Sequence, residues 1–154
     1  MLKLIISLAA ALAAAVIGGL ATGSSVATWY AALRKPAFAP PNWLFGPAWT
    51  VLYILMAVAA CVVWKQGLAV PGIKLALAAY LVQLVLNGAW SGLFFGLRSP
   101  LAGLIGIGAL WLAILATIVL FFRVSPTAGY LMLPYIAWVT FAGALNAAIL
   151  RLNR

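Results

Sequence analysis

Residues 75–97 read LALAAYLVQLVLNGAWSGLFFGL, an uncharged stretch bounded by Lys74 and Arg98. At a rise of about 1.5 Å per residue, a helix needs about 20 mostly apolar residues to cross the hydrocarbon core of a bilayer, and this stretch is long enough. It is the shortest of five such runs. The nine charges of the chain are all basic and stand at Lys3, Arg34, Lys35, Lys65, Lys74, Arg98, Arg123, Arg151 and Arg154. Between them the intervals 4–33, 36–64, 75–97, 99–122 and 124–150 each have room for a span, whereas 66–73 has room only for a turn. A transmembrane barrel would alternate polar and apolar residues over segments of about ten, but these runs are apolar on every face. The pattern predicts an all-α membrane protein, a five-transmembrane-helix bundle with helices at about 4–22, 47–64, 73–96, 100–122 and 128–152, forming one domain over 1–154.

Composition agrees with that reading and narrows the chemistry. The 154 residues are 68% hydrophobic and 6% charged, far from the soluble mix of roughly half apolar and a quarter charged. The net charge of +9 does not point to nucleic acid, because the basic residues stand singly or in pairs at the ends of apolar runs, where their stems reach lipid headgroups. With no Asp, Glu or His there is no carboxylate pair, catalytic triad, His-based metal site or acid-based proton relay. No metal site and no required cofactor are therefore expected. Cys61 is the sole cysteine and reads as a small buried apolar residue.

The start, Met1-Leu2-Lys3 followed by an Ala/Leu/Ile run to Gly18-Gly19, has the outline of a secretory signal. The run is long for a signal centre, and the expectation is a retained first helix. Residues 23–42 then carry Gly23-Ser24-Ser25 and Pro36, Pro40 and Pro41, which predicts a loop of about twenty residues. Its aromatic content, with Trp29, Tyr30 and Phe38, predicts order, and the loop reads as a lid over the membrane end of the bundle. Gly67 and Pro71-Gly72 predict the turn between the second and third helices. With five spans, Lys3, Lys65, Lys74 and Arg123 fall on one side and Arg34, Lys35, Arg98, Arg151 and Arg154 on the other. Four against five does not decide orientation.

The densest group of chemically distinctive residues runs from Trp29 to Tyr53. It is proline-stiffened and aromatic, with Arg34 and Lys35 beside it; flat apolar rings stack on Trp and Tyr, and the two cations can meet carboxylates or phosphates. Trp29, Trp64 and Trp111 also fit an aromatic belt at headgroup level. In the third span Gln83, Asn87 and Trp90 follow at spacings of four and three and share a helix face. Their amides read either as interhelical glue, with Asn146 as a partner, or as the polar contacts of a pocket. Gly88, Gly92 and Gly96 form a small-xxx-small series that suits a homodimer face or packing within the bundle. In the fifth span Trp138, Phe141, Ala142 and Leu145 share a face beyond Pro134 and read as core packing or as a cavity wall.

Four spaced motifs carry a resemblance: W-Y-x-x-L-x-K-P at 29–36, P-P-x-W-x-F-x-P-x-W-T-x-L-Y at 40–53, Q-L-x-L-N-x-x-W-x-x-x-F-F at 83–95 and P-Y-x-x-W-x-x-F-A-x-x-L-N at 134–146. In this order the chain resembles, over about residues 18–153, the tryptophan-rich sensory protein/translocator protein family, also called the TspO/MBR or peripheral benzodiazepine receptor family. The resemblance is to a bacterial-type member, with the cell envelope as the expected location. It implies a five-helix bundle, often a homodimer in the lipid bilayer, with a pocket beneath the loop after the first helix that takes porphyrins, haem, sterols and benzodiazepine-type drugs. By motif position the ligand-binding residues would be Trp43, Pro47, Trp49 and Tyr53 of the second helix, Asn87, Trp90 and Phe94 of the third, and Trp138, Ala142 and Leu145 of the fifth. Trp29, Arg34, Lys35 and Phe38 would face the ligand's anionic edge from the lid. The resemblance implies a receptor or carrier with a sensory or transport role, and as its alternative a light- and oxygen-dependent porphyrin-degrading enzyme using Trp49 and Trp138. Two departures stand out: Phe38 replaces a Trp common in the family, and no Tyr follows Leu145 before Arg151, so the sterol motif of some members is incomplete.

Overall fold

The computed structural model describes residues 1–154, the side chain of Ala21 excepted. Five helices make up the chain: α1 (Leu2–Ser25, continued by a π turn over Val26–Tyr30), α2 (Asn42–Lys65), α3 (Ile73–Ser91, continued by a π turn over Gly92–Gly96), α4 (Pro100–Val124) and α5 (Pro126–Leu152). All five are long and apolar enough to cross a membrane. They close into a ring in which α1 packs on α2 and α3, α2 on α5, α5 on α4 and α4 on α3. The chain is a multi-pass integral membrane protein.

Two helices run further than the sequence spacing predicts. Gly23-Ser24-Ser25 does not open a loop; α1 continues through it, and only residues 33–41 lie outside helix before α2. The reason is the solvent. In hydrocarbon every backbone N–H and C=O needs an internal partner, which favours helix over irregular chain even at glycine and serine. The hydroxyls fold back as well: Thr22 Oγ1 donates to the Gly18 carbonyl at 2.6 Å and Thr28 Oγ1 to Ser24 at 2.8 Å. Helix α2 begins at Asn42, placing Pro47 inside it. The missing Pro47 N–H would have served the carbonyl of Trp43, one residue from the helix start and 71% exposed, so the loss is small there.

The turns follow the punctuation of the sequence. Gly67 and Gly72 adopt φ of 104° and 87° between α2 and α3, a region open to glycine at no steric cost. Ser99 accepts a hydrogen bond from the Ala102 N–H at 3.1 Å, and Pro100 and Pro126 occupy the first turns of α4 and α5. Only Ser125 separates those two helices, a tighter link than the Arg123–Thr127 turn expected from the sequence.

Contacts agree with the predicted sides. Lys3 Nζ donates to the Trp64 carbonyl at 3.1 Å and lies 5.9 Å from the Trp64 ring at one end, while at the other the backbone of Arg34 is bonded to the side chain of Asn153. The Lys3 end is solid, with Val63, Ile73, Ala76, Phe121 and Ala128 fully buried. The Arg34 end contains a cavity.

Candidate functional site

The cavity has a volume of about 400 Å³. It is walled by the Arg34-side halves of four helices: residues 15–30 of α1, 42–53 of α2, 87–95 of α3 and 142–149 of α5. Helix α4 contributes no lining residue but backs the wall. A Cβ on Gly103 would lie 2.6 Å from Phe94 Cδ2, and one on Gly106 would lie 2.7 Å from Leu93 Cδ1. The absence of both side chains lets the aromatic end of α3 press against α4 instead of into the cavity.

Two π turns set the aromatic rim. Ser25, buried at the end of α1, donates its hydroxyl to the carbonyl of Phe95 at 2.9 Å and so joins the two turns. Trp29 meets Phe94 edge-on at 5.4 Å, Tyr30 lies 6.2 Å from Phe94 and 5.7 Å from Phe95, and Trp90 stacks on Phe94 at 5.8 Å. Lys35 Nζ lies 4.7 Å from the centre of the Tyr30 ring. On the α1/α2 side the wall is thin. Gly19, Gly46 and Thr50 line the cavity and are exposed on the bundle surface, and the Thr50 hydroxyl is turned back onto the Gly46 carbonyl at 2.9 Å.

Deeper in, the cavity touches a buried polar chain. Tyr53 Oη donates to Asn87 Oδ1 at 2.6 Å, Asn87 Nδ2 to Tyr135 Oη at 2.9 Å, Tyr135 Oη to Gln83 Oε1 at 2.9 Å and Gln83 Nε2 to Met56 Sδ at 3.8 Å. Trp49 leans over this chain, 5.6 Å from the Tyr53 ring and 6.2 Å from Tyr135. The α3 amides thus find partners on α2 and α5. The expected partner Asn146 is not among them: its Nδ2 donates to the Pro100 carbonyl at 2.7 Å, because it faces the first turn of α4.

Of the residues singled out in the sequence, Trp49, Tyr53, Asn87, Trp90, Phe94, Ala142 and Leu145 line the cavity together. Pro47 and Trp138 lie instead along a shallow groove on the outer face between α2 and α5, with Phe45 interposed between Trp138 and the cavity at a ring distance of 6.1 Å. Trp43 points outward. None of residues 31–41 lines the cavity, although the flanking Tyr30 and Asn42 do. Arg34 is exposed and Phe38 packs edge-on against Phe141 at 6.2 Å. Gly88 packs against α1, 3.6 Å from Ile17 Cγ2 to its built Cβ, whereas Gly92 and Gly96 face open space. Missed from the sequence were Phe45, Ser91, Ile149 and the α1 wall, Ala15, Gly18 and Gly19 with Thr22 and Val26. Phe45 stood within the aromatic block; the α1 residues gave no signal, since small residues look alike wherever they face.

Comparison with known proteins agrees with this architecture. Residues 6–152 match the TspO/MBR family model. A tryptophan-rich protein TspO of Archaeoglobus fulgidus is 49% identical over 153 residues, covering 99% of this chain and 97% of the relative. Protein CrtK of Rhodobacter capsulatus is 45% identical over 86% of this chain and 84% of its own length. The human translocator protein is 40% identical over 81% of this chain and 75% of its own length. The chain belongs to the TspO/MBR family of membrane proteins.

Proposed function

We propose that this protein is a membrane receptor or carrier that binds a flat hydrophobic ligand of the tetrapyrrole class, porphyrin or haem, in the cavity among α1, α2, α3 and α5. The observation that carries the reading is the cavity wall, where Trp49, Trp90, Phe94 and Tyr30 surround about 400 Å³ with no charged residue among the lining side chains. That volume lies within the range of small-molecule sites, roughly 300–1,000 Å³. Aromatic faces on several sides favour a planar guest, and burying its rings contributes about 25 cal/mol per Å² before ordering costs.

Three polar atoms of lining residues support an occupant. The Tyr30 hydroxyl, Trp90 Nε1 and Asn146 Oδ1 are buried and have no hydrogen-bond partner among the described residues, a costly state in an apolar surround. Lys35 beside the Tyr30 ring supplies a cation at the rim for a ligand carboxylate, while the open wall at Gly19 and Gly46 allows a macrocycle to extend beyond the cavity. Benzodiazepine-type drugs and sterols are smaller or less planar candidates for the same walls.

The test is titration of the purified protein with protoporphyrin IX in the dark, followed by tryptophan fluorescence. Saturable quenching that weakens at least tenfold in Trp90→Leu and Asn87→Ala supports the reading. Quenching that never saturates, and is the same in all three proteins, refutes it.

A further inference from the structure

The buried polar chain has a direction, and its last link sets it. Met56 Sδ is a thioether, which accepts hydrogen bonds and cannot donate one. Gln83 therefore turns its Nε2 toward Met56, at 3.8 Å, and presents Oε1 to Tyr135, at 2.9 Å. Tyr135 spends its proton on Gln83, so its oxygen accepts from Asn87 Nδ2, and Asn87 in turn offers Oδ1 to the proton of Tyr53. Gln83, Met56 and Tyr135 are all fully buried and none of them lines the cavity; Asn87 and Tyr53 do. The reversed chain would set the Gln83 carbonyl against the Met56 sulfur, two acceptors facing one another with no proton between them.

We propose that Gln83 is a positioning residue for ligand specificity: through Tyr135 and Asn87 it commits the Tyr53 proton inward, so that Tyr53 Oη meets the cavity as a hydrogen-bond acceptor and selects ligands that present an N–H or O–H at that depth. In the reversed chain Asn87 Nδ2 would donate to Tyr53, the Tyr53 proton would be free, and the cavity would favour an acceptor instead. The preference at Tyr53 is thus written by a residue the cavity never touches. The inference rests on the reading of the cavity as a ligand site and adds the chemistry of one contact.

The experiment uses carbazole and N-methylcarbazole, flat aromatic probes that differ at one N–H, as competitors of protoporphyrin IX on the purified protein. Wild type is expected to bind carbazole about fivefold more tightly than its methyl derivative, the worth of one net hydrogen bond. In Gln83→Leu and in Tyr135→Phe the preference should vanish or invert. In Gln83→Glu it should persist, because a carboxyl oxygen at this position still accepts from Tyr135. A purely structural role for Gln83 would weaken both probes alike and leave their ratio unchanged. An unchanged ratio in Gln83→Leu and Tyr135→Phe, or no preference in wild type, overturns this proposal while saturable protoporphyrin binding leaves the cavity reading standing. If protoporphyrin itself fails to bind saturably, both fall.

Discussion

Asn153, at the end of α5, grips the backbone of Arg34 from both sides: its Oδ1 accepts from the Arg34 N–H at 3.0 Å and its Nδ2 donates to the Arg34 carbonyl at 2.9 Å. Arg34 lies 119 positions earlier in the chain, in the short segment between α1 and α2. The side-chain amide of Asn153 thereby imitates a strand partner and fixes one edge of residues 33–41 to the C-terminal helix.

The first prediction follows from that clamp. Asn153→Ala removes the two exposed hydrogen bonds to Arg34, each contributing roughly 0.5–1.5 kcal/mol, and the 2.8 Å bond from Nδ2 to the Ile149 carbonyl, while no atom of Asn153 itself lines the cavity. Amide exchange at Arg34 and Lys35 should accelerate at least tenfold, and bound protoporphyrin should dissociate faster if the segment limits its exit. Unchanged exchange at Arg34 would show that the rest of the segment holds it in place.

A second concerns the joint between the two π turns. Ser25→Ala deletes the bond to Phe95, and interhelical hydrogen bonds in membranes average about 0.6 kcal/mol. Thermal unfolding in detergent should fall by only a few degrees, whereas the Trp29, Tyr30 and Phe94 rim should loosen, visible as a broadened tryptophan emission. A large loss of stability would mean that Ser25 carries more of the α1/α3 contact than its one bond.

Third, Gly103→Ala should narrow the cavity from behind. The new Cβ would lie 2.6 Å from Phe94 Cδ2 and 2.8 Å from Asn146 Oδ1, and of these the Phe94 ring has space on its cavity side. Overpacking of this kind costs about 1–3 kcal/mol, so a lower melting temperature and weaker protoporphyrin binding are expected together. Gly108→Ala, where nothing lies within 4 Å of the built Cβ, serves as the control.

Fourth, the two tryptophans that the family resemblance links to porphyrin chemistry should separate. Trp49 lines the cavity and Trp138 lies behind Phe45, so Trp49→Phe should weaken protoporphyrin binding several-fold more than Trp138→Phe. Should illumination with oxygen degrade bound porphyrin, the rate should follow Trp49 as well. Equal effects of the two substitutions would contradict the division drawn between cavity and outer groove.

Much of this was legible in the sequence, for reasons that also explain the rest. Five long uncharged runs bounded by basic residues gave the helices, since length and apolarity are what a bilayer demands. The spacing of Gln83, Asn87 and Trp90 put three polar or aromatic groups on one face, and the helix period carried over unchanged into the structure. What the spacing did not carry was the partner of each amide: Tyr53 and Tyr135 are reached only through the ring order of the helices, which local pattern does not encode. The α1 wall was invisible because Gly18 and Gly19 act by having no side chain. The extent of α1 was misjudged because Gly23-Ser24-Ser25 breaks helices in water, where irregular backbone finds solvent partners, and not in lipid. Trp43, Pro47 and Trp138 share their motifs with cavity residues, but Trp49 lies six positions beyond Trp43, well over one helical turn, and faces another way.

The most direct test of the central claim is the dissociation constant of protoporphyrin IX in lipid nanodiscs, in the dark, for wild type, Ala142→Phe and Ala137→Phe. Ala142 is buried and lines the cavity, whereas Ala137 is exposed along the outer groove. Binding that saturates in wild type and Ala137→Phe but weakens by more than tenfold in Ala142→Phe is the predicted result; equal affinity in all three would place the ligand elsewhere and contradict the account.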